Sequence, residues 1–152
     1  GARVGEVVQL RWRDIGKEQI LFPKSITKRK LKSRELFISE SFHKYLMDWS
    51  SYWTIYKGRK PTPEDYVFYG RKEGSHITTR SFQLALQKAS LKAKISGVSS
   101  HSYRRTQLTQ LHRKQVPLNV IKSLSGHQSL ATLSLYLQVD DREKREASKL
   151  FA

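Results

Sequence analysis

The sequence predicts an α+β fold, mainly helical with a small three-stranded antiparallel sheet. Apolar residues recur at helical spacing in several segments from residue 39 to the C-terminus, each opened or closed by a capping residue. Three short runs rich in Ile, Leu and Phe lie between residues 19 and 39, too short for helices and separated by breaks. The composition, 38% hydrophobic and 28% charged over 152 residues, is that of one globular domain.

Taken in order, Val4, Val7, Val8 and Leu10 suggest a first helical segment ending near Trp12 to Ile15, stopped by Gly16. The runs 19–23, 25–30 and 33–39 are expected as the strands, with a basic hairpin tip at Lys28 to Lys32. Ser39 is a candidate N-cap for a helix carrying Phe42, Tyr45, Leu46, Trp49, Tyr52, Trp53 and Tyr56 on one stripe, read as core and not as a base-stacking platform. After a loop at 58–63, Thr78 or Thr79 caps a helix with Phe82, Ala85, Leu86 and Ala89 on one face. A loop at 96–100 leads to a helix over 101–112. Pro117 suits the first turn of the next, with Val120, Ile121 and Leu124 inward and Gly126 at its C′ position. Leu130, Leu133 and Leu137 mark a short helix, and 141–151 a charged terminal one.

The charge narrows the function. Twenty-nine Lys and Arg against thirteen Asp and Glu give +16 at pH 7, with a pI near 10.3. Such an excess repels itself in a compact fold unless a polyanion screens it. Nucleic acid is the first candidate partner, an anionic membrane surface the second, and a solvated basic surface the third reading. With no cysteine, disulfides, thiolate chemistry and Cys-based zinc sites are excluded. An intracellular, cytoplasmic setting fits. No apolar run approaches the roughly 20 residues of a membrane span, and no signal peptide opens the chain. It begins Gly1-Ala2-Arg3 without a Met, and is read as a fragment with an upstream domain of the same parent chain expected.

Four local patterns occur in order: Gly1-Ala2-Arg3-Val4-Gly5-Glu6; Thr27-Lys28, with Ser33-Arg34 opening the return strand; His101-Ser102-Tyr103-Arg104-Arg105-Thr106; and Leu124-Ser125-Gly126-His127, followed nine residues later by Tyr136. Each is weak singly. As an ordered set they resemble the tyrosine recombinase, or phage integrase, family, and the likeness runs from Gly1 to about Val139. The departures are His101-Ser102-Tyr103-Arg104 in place of the commoner H-D-L-R, and Thr132-Leu133-Ser134-Leu135-Tyr136, which keeps the family's Thr-to-Tyr spacing.

The resemblance implies a catalytic domain of that family's fold. It implies a site-specific DNA strand transferase that acts through a 3′-phosphotyrosyl link to Tyr136. Arg3 and Arg104 match the family's two arginines. Planar, bidentate and always charged, guanidiniums suit the oxygens of a phosphodiester whose charge grows in the transition state. A phenol titrates near pKa ~10 and needs a base or a positive field to attack. His101 matches the position implied as general base, and His127 a second position that bonds a phosphate oxygen. Tyr103 is the rival nucleophile and is read as packing. Lys28 matches the general acid for the leaving 5′ oxygen, with Lys30 and Lys32 as close alternatives that otherwise contact DNA. Arg105, about 100° round the helix from Arg104, is expected on DNA backbone or an acid. Glu6 is expected to hold Arg3 or neighbouring backbone in place.

No cofactor and no metal is expected, because the arginines supply the charge and no carboxylate–histidine cluster has ligand spacing. The implied partners are double-stranded DNA and further copies of the chain, as a tetramer on DNA, with residues 141–152 docking on a neighbour or packing in cis. No membrane is expected. The alternatives are a type IB topoisomerase-like enzyme and a basic DNA-binding module without catalysis.

Overall fold

The computed structural model describes residues 1–27, 32–137 and 141–149. The chain divides into two compact units, Ala2–His101 and Ser102–Ala152, with Gly1 grouped in the second.

In the first unit the opening segment is shorter than expected. Helix α1 is a single turn, Val4–Val7, and a 3-10 turn at Trp12–Asp14 follows where the sequence suggested continuous helix. The chain leaves the helix because Val67 N–H donates to the Leu10 carbonyl at 2.9 Å and Trp12 N–H to the Asp65 carbonyl at 3.0 Å. Tertiary hydrogen bonds thus replace helical ones.

The expected three-stranded sheet is corrected to two strands among the described residues. Strands β1 (Gln19–Phe22) and β2 (Arg34–Phe37) pair antiparallel with Ile20 opposite Leu36 and Phe22 opposite Arg34. The intervening run turns instead of extending. Ile26 N–H donates to the Pro23 carbonyl at 3.0 Å, and the Thr27 hydroxyl lies 3.0 Å from both the Lys24 and Lys32 carbonyls, closing the turn. The rest of that expected strand, 28–31, lies outside the described residues. On β1 the alternation is plain, with Ile20 and Phe22 buried and Leu21 open.

Helix α2 spans Glu40–Lys57. The Ser39 hydroxyl accepts from Phe42 N–H, and Gly58 ends the helix at φ 70°, where a side chain would be strained. Its aromatic stripe is only partly core. Leu46 and Trp53 are buried, but Tyr45, Tyr52 and Tyr56 are 71%, 53% and 62% exposed and Phe42 is exposed as well. The buried side of α2 packs with Leu10, Ile20, Phe22 and Val67. Trp49 and Trp53 donate their indole N–H groups to the Val67 and Tyr66 carbonyls. The tyrosines stack at the rim, Tyr52 on Trp49 at 5.3 Å and Tyr56 on Tyr69 at 5.0 Å. Helix α3 (Thr79–Lys92) is capped by Thr78, whose hydroxyl accepts from Ser81 N–H. Phe82 packs edge-on to Phe68, while Ala85 and Ala89, expected on the inner face, are exposed.

Helix α4 (Ser100–Arg113) crosses from the first unit into the second. Within the second unit α5 (Leu118–Ser125) starts after Pro117 and stops at Gly126 in the left-handed region, φ 69°. The short α6 (Leu130–Ser134) is capped by Ser129, and α7 covers Asp141–Ser148. Leu108, Ile121 and Leu133 form the core, with Tyr136 and Leu137 packed against it. Val120, expected inward, is exposed.

The loop after α2 is held by a carboxylate. Asp65 takes a bidentate contact from Arg59, at 2.6 and 2.9 Å, and the Thr62 N–H at 2.7 Å. These donors, Arg59 first, hold its carboxyl far below the ordinary range. A depressed folded-state value means that Asp65 stabilises the fold above the unfolded-state pKa of about 4 and that this contribution is lost as pH falls from there. Asp65→Asn is therefore expected to destabilise the protein at pH 7 by about 1–2 kcal/mol. In thermal melts its gap from wild type should close steadily below about pH 4. A gap independent of pH would show that the carboxylate charge does not matter.

Candidate active site

In the Ser102–Ala152 unit, Arg104 lies on α4 and is only 4% exposed. A buried guanidinium needs an acceptor for each N–H, since Arg has donors only. It has three named ones. Nη1 donates to the Gly1 carbonyl. Nη2 donates to the Ser125 carbonyl at 2.8 Å and faces His127 Nε2 at 3.3 Å. The Ser125 carbonyl is available because α5 ends there. Gly126 then turns the chain so that His127, 5% exposed, comes back over the helix end. His127 Nδ1 lies 2.7 Å from the Ser125 hydroxyl.

Tyr136 follows α6 in a turn, its N–H donated to the Leu133 carbonyl at 2.8 Å. Leu133 is fully buried and anchors that turn. The Tyr136 ring lies 4.8 Å from the His127 ring, and the Arg104 guanidinium carbon 5.7 Å from its centroid. Tyr136 is half-buried, neither sunk among aliphatics nor free of them. Thus Arg104 from one motif and His127 and Tyr136 from another share one cluster. It holds a fixed cation, an imidazole and a phenol, the groups that general acid–base and nucleophilic work on an anionic ester require.

In the Ala2–His101 unit, Arg3 precedes α1 and Glu6 lies within it, the Glu6 side chain 3% exposed. Glu6 Oε1 takes Arg3 Nη1 and Oε2 takes the Arg3 N–H, both at 3.3 Å. Arg34 on β2, 10% exposed, donates to Oε2 at 2.7 Å and lies over the Phe22 ring at 4.9 Å. One carboxylate therefore ties α1 to the hairpin and orients Arg3. The sequence pointed to Glu6 but gave Arg34 no role. Arg34 stands on a strand opposite buried Phe22, and only that register reveals it.

His101 opens α4 and is exposed, as is Arg105 beyond it. Tyr103, read as packing, is corrected: it is 44% exposed, because the α4 face that carries Arg104 and Leu108 is the buried one. Lys32 is exposed. Lys28 and Lys30 lie outside the described residues. Among the described residues no helix is long and apolar enough to cross a membrane.

Comparison with known proteins bears on this arrangement. The model of the phage integrase family matches residues 1–143. A putative integrase/recombinase, y4qK, of Sinorhizobium fredii is 31% identical over 91% of this chain and 42% of its own length. Transposase A from transposon Tn554 of Staphylococcus aureus is 30% identical over 98% of this chain and 44% of its own. The chain thus spans less than half the length of these curated relatives. Among solved structures, XerH site-specific recombinase bound to palindromic difH substrate, in a post-cleavage complex, gives a TM-score of 0.79 at 24% identity, over 98% of this chain and 41% of that one. XerA recombinase gives 0.78 at 24%, over 99% and 53%. The fold is that of the tyrosine recombinase catalytic domain, as expected, with one strand fewer among the described residues.

Glu6→Gln removes the anion shared by Arg3 and Arg34 while keeping the shape. Breaking a buried ion pair from one side should cost about 3 kcal/mol or more in urea denaturation. A cycle with Arg34→Met should give a coupling of about 1–3 kcal/mol. Strict additivity would mean that the Glu6–Arg34 bond adds nothing.

Proposed function

We propose that this chain, which belongs to the phage integrase family, cuts and rejoins double-stranded DNA through a covalent bond to Tyr136. The observation that carries the reading is the single cluster of Arg104, His127 and Tyr136 side chains.

The Tyr136 oxygen attacks a scissile phosphorus, its phenolic proton passing to His101. The bond from phosphorus to the 5′ oxygen breaks, leaving a 3′-phosphotyrosyl link. That oxygen leaves as a hydroxyl with a proton from Lys28, or from Lys30 or Lys32 in its place. Arg3 and Arg104 hold the non-bridging oxygens, Arg3 being kept in its orientation by Glu6, and His127 bonds one of them. Attack by a 5′ hydroxyl of another strand reverses the step. The phosphodiester energy is kept in the tyrosyl ester, so the cycle calls for neither ATP nor a metal ion. Lys32 and Arg105, both exposed, are suited to the flanking phosphates. Pairing of two DNA sites calls for a tetramer of this protein, acting in the cytoplasm where the DNA lies.

Nicked duplexes with a randomised core serve as the probe, because loss of the short fragment traps the covalent step. The wild type is expected to give an SDS-resistant protein–DNA adduct, and Tyr136→Phe none. Arg104→Ala should lower adduct formation by about 100-fold or more. DNA retained without any adduct would overturn the reading in favour of a binding module. Relaxation of supercoiled plasmid without site preference would favour a topoisomerase-like activity.

A further inference from the structure

We propose that Ser125 is a positioning residue that sets which nitrogen of His127 carries the proton and lets that choice change when substrate arrives. This rests on the reading that His127 faces the scissile phosphate.

The hydrogen-bond chain around His127 has one consistent direction. The guanidinium Nη2 of Arg104 can only donate, so His127 Nε2, 3.3 Å away, must offer its lone pair. A neutral ring then carries its proton on Nδ1, which lies 2.7 Å from the Ser125 oxygen. That oxygen accepts from Nδ1 and sends its own proton to the Lys122 carbonyl, at 3.2 Å. The two links to the ring are buried, with Ser125 at 0% and His127 at 5% exposure. In this state His127 has no proton on Nε2, whereas bonding a phosphate oxygen requires one.

The hydroxyl resolves the conflict, because it can donate as well as accept. If the Nδ1 proton leaves to water and Nε2 takes one from water, Ser125 rotates its O–H from the Lys122 carbonyl to the bare Nδ1. The Lys122 carbonyl is not left empty, since Gly126 N–H donates to it at 3.0 Å. Nε2 is then a donor, and Nη2 of Arg104 exchanges its imidazole contact for a substrate oxygen while keeping the Ser125 carbonyl at 2.8 Å. Arg104 from α4, Ser125 from the end of α5 and the Tyr136 ring after α6 are among the described groups that face the ring. Of these, Ser125 is the one that can serve Nδ1 in both proton states.

Ser125→Ala removes the hydroxyl and leaves the Lys122 carbonyl satisfied, so the fold should persist, checked by an unchanged amide spectrum elsewhere. Side-chain nitrogen NMR on histidine-labelled protein, with His127 assigned by its loss in His127→Gln, reads the ring directly. Wild type without DNA should show a protonated Nδ1 and a bare Nε2, and Ser125→Ala should show both nitrogens averaged. On nicked duplexes that trap the wild type, Ser125→Ala should form adduct about 10- to 100-fold more slowly, with DNA retention nearly unchanged. A wild-type ring protonated at Nε2, or identical ring signals in the variant, would overturn the proposal. So would shifted ring signals with an unaltered adduct rate. If the wild type forms no adduct, the phosphotransfer reading fails, while the ring signals still decide whether Ser125 governs His127.

Discussion

A buried guanidinium that meets neutral acceptors is the constraint around which the Ser102–Ala152 unit is arranged. The two Nη groups of Arg104 meet the carbonyls of Gly1 and Ser125 and an imidazole nitrogen. Neutral acceptors solvate the cation without cancelling it, so its field remains available to an incoming anion. The rest of the unit follows. Helix α5 must end where its last carbonyl meets Nη2, Gly126 must reverse the chain, and Leu133 must seat the turn that brings Tyr136 beside His127. A carboxylate in the same place would hold the arginine as firmly and quench its attraction for phosphate.

The other unit handles its arginine differently. Arg3 shares Glu6 with Arg34, so two cations meet one anion and the local balance stays positive. That fits a chain whose formal charge is +16. Acidic residues here are spent on structure: Glu6 joins α1 to β2, Asp65 gathers the loop after α2, and Glu64 takes Arg13 at 2.6 Å. Most of the described lysines are exposed, open to solvent or a polyanion.

How much was legible in the sequence varied by signal. Caps were read well: Ser39, Thr78 and Gly126 stand at helix ends because each satisfies or releases a backbone group there. The α2 stripe was read correctly as one face, but periodicity states which residues are neighbours and not how much cover they receive. The rim tyrosines are exposed yet stack on neighbouring rings, Tyr52 on Trp49 and Tyr56 on Tyr69, which suits amphipathic rings. The lost strand was hidden by Thr27, whose side chain closes a turn that apolar content alone cannot reveal. Of the site, Arg104, His127 and Tyr136 were legible as motif positions. Ser125 was not, because a serine before a helix-ending glycine is commonplace, and its meaning appears only when the chain reverses and brings His127 to it.

The tryptophans lie unevenly. All three, Trp12, Trp49 and Trp53, fall in the Ala2–His101 unit, and Trp53 is 1% exposed beneath the Arg59 guanidinium. Intrinsic indole emission is accordingly a local gauge. It follows the melting of the hairpin-and-α2 half, while loosening of the half that bears Tyr136 passes dark unless an optical label is added there.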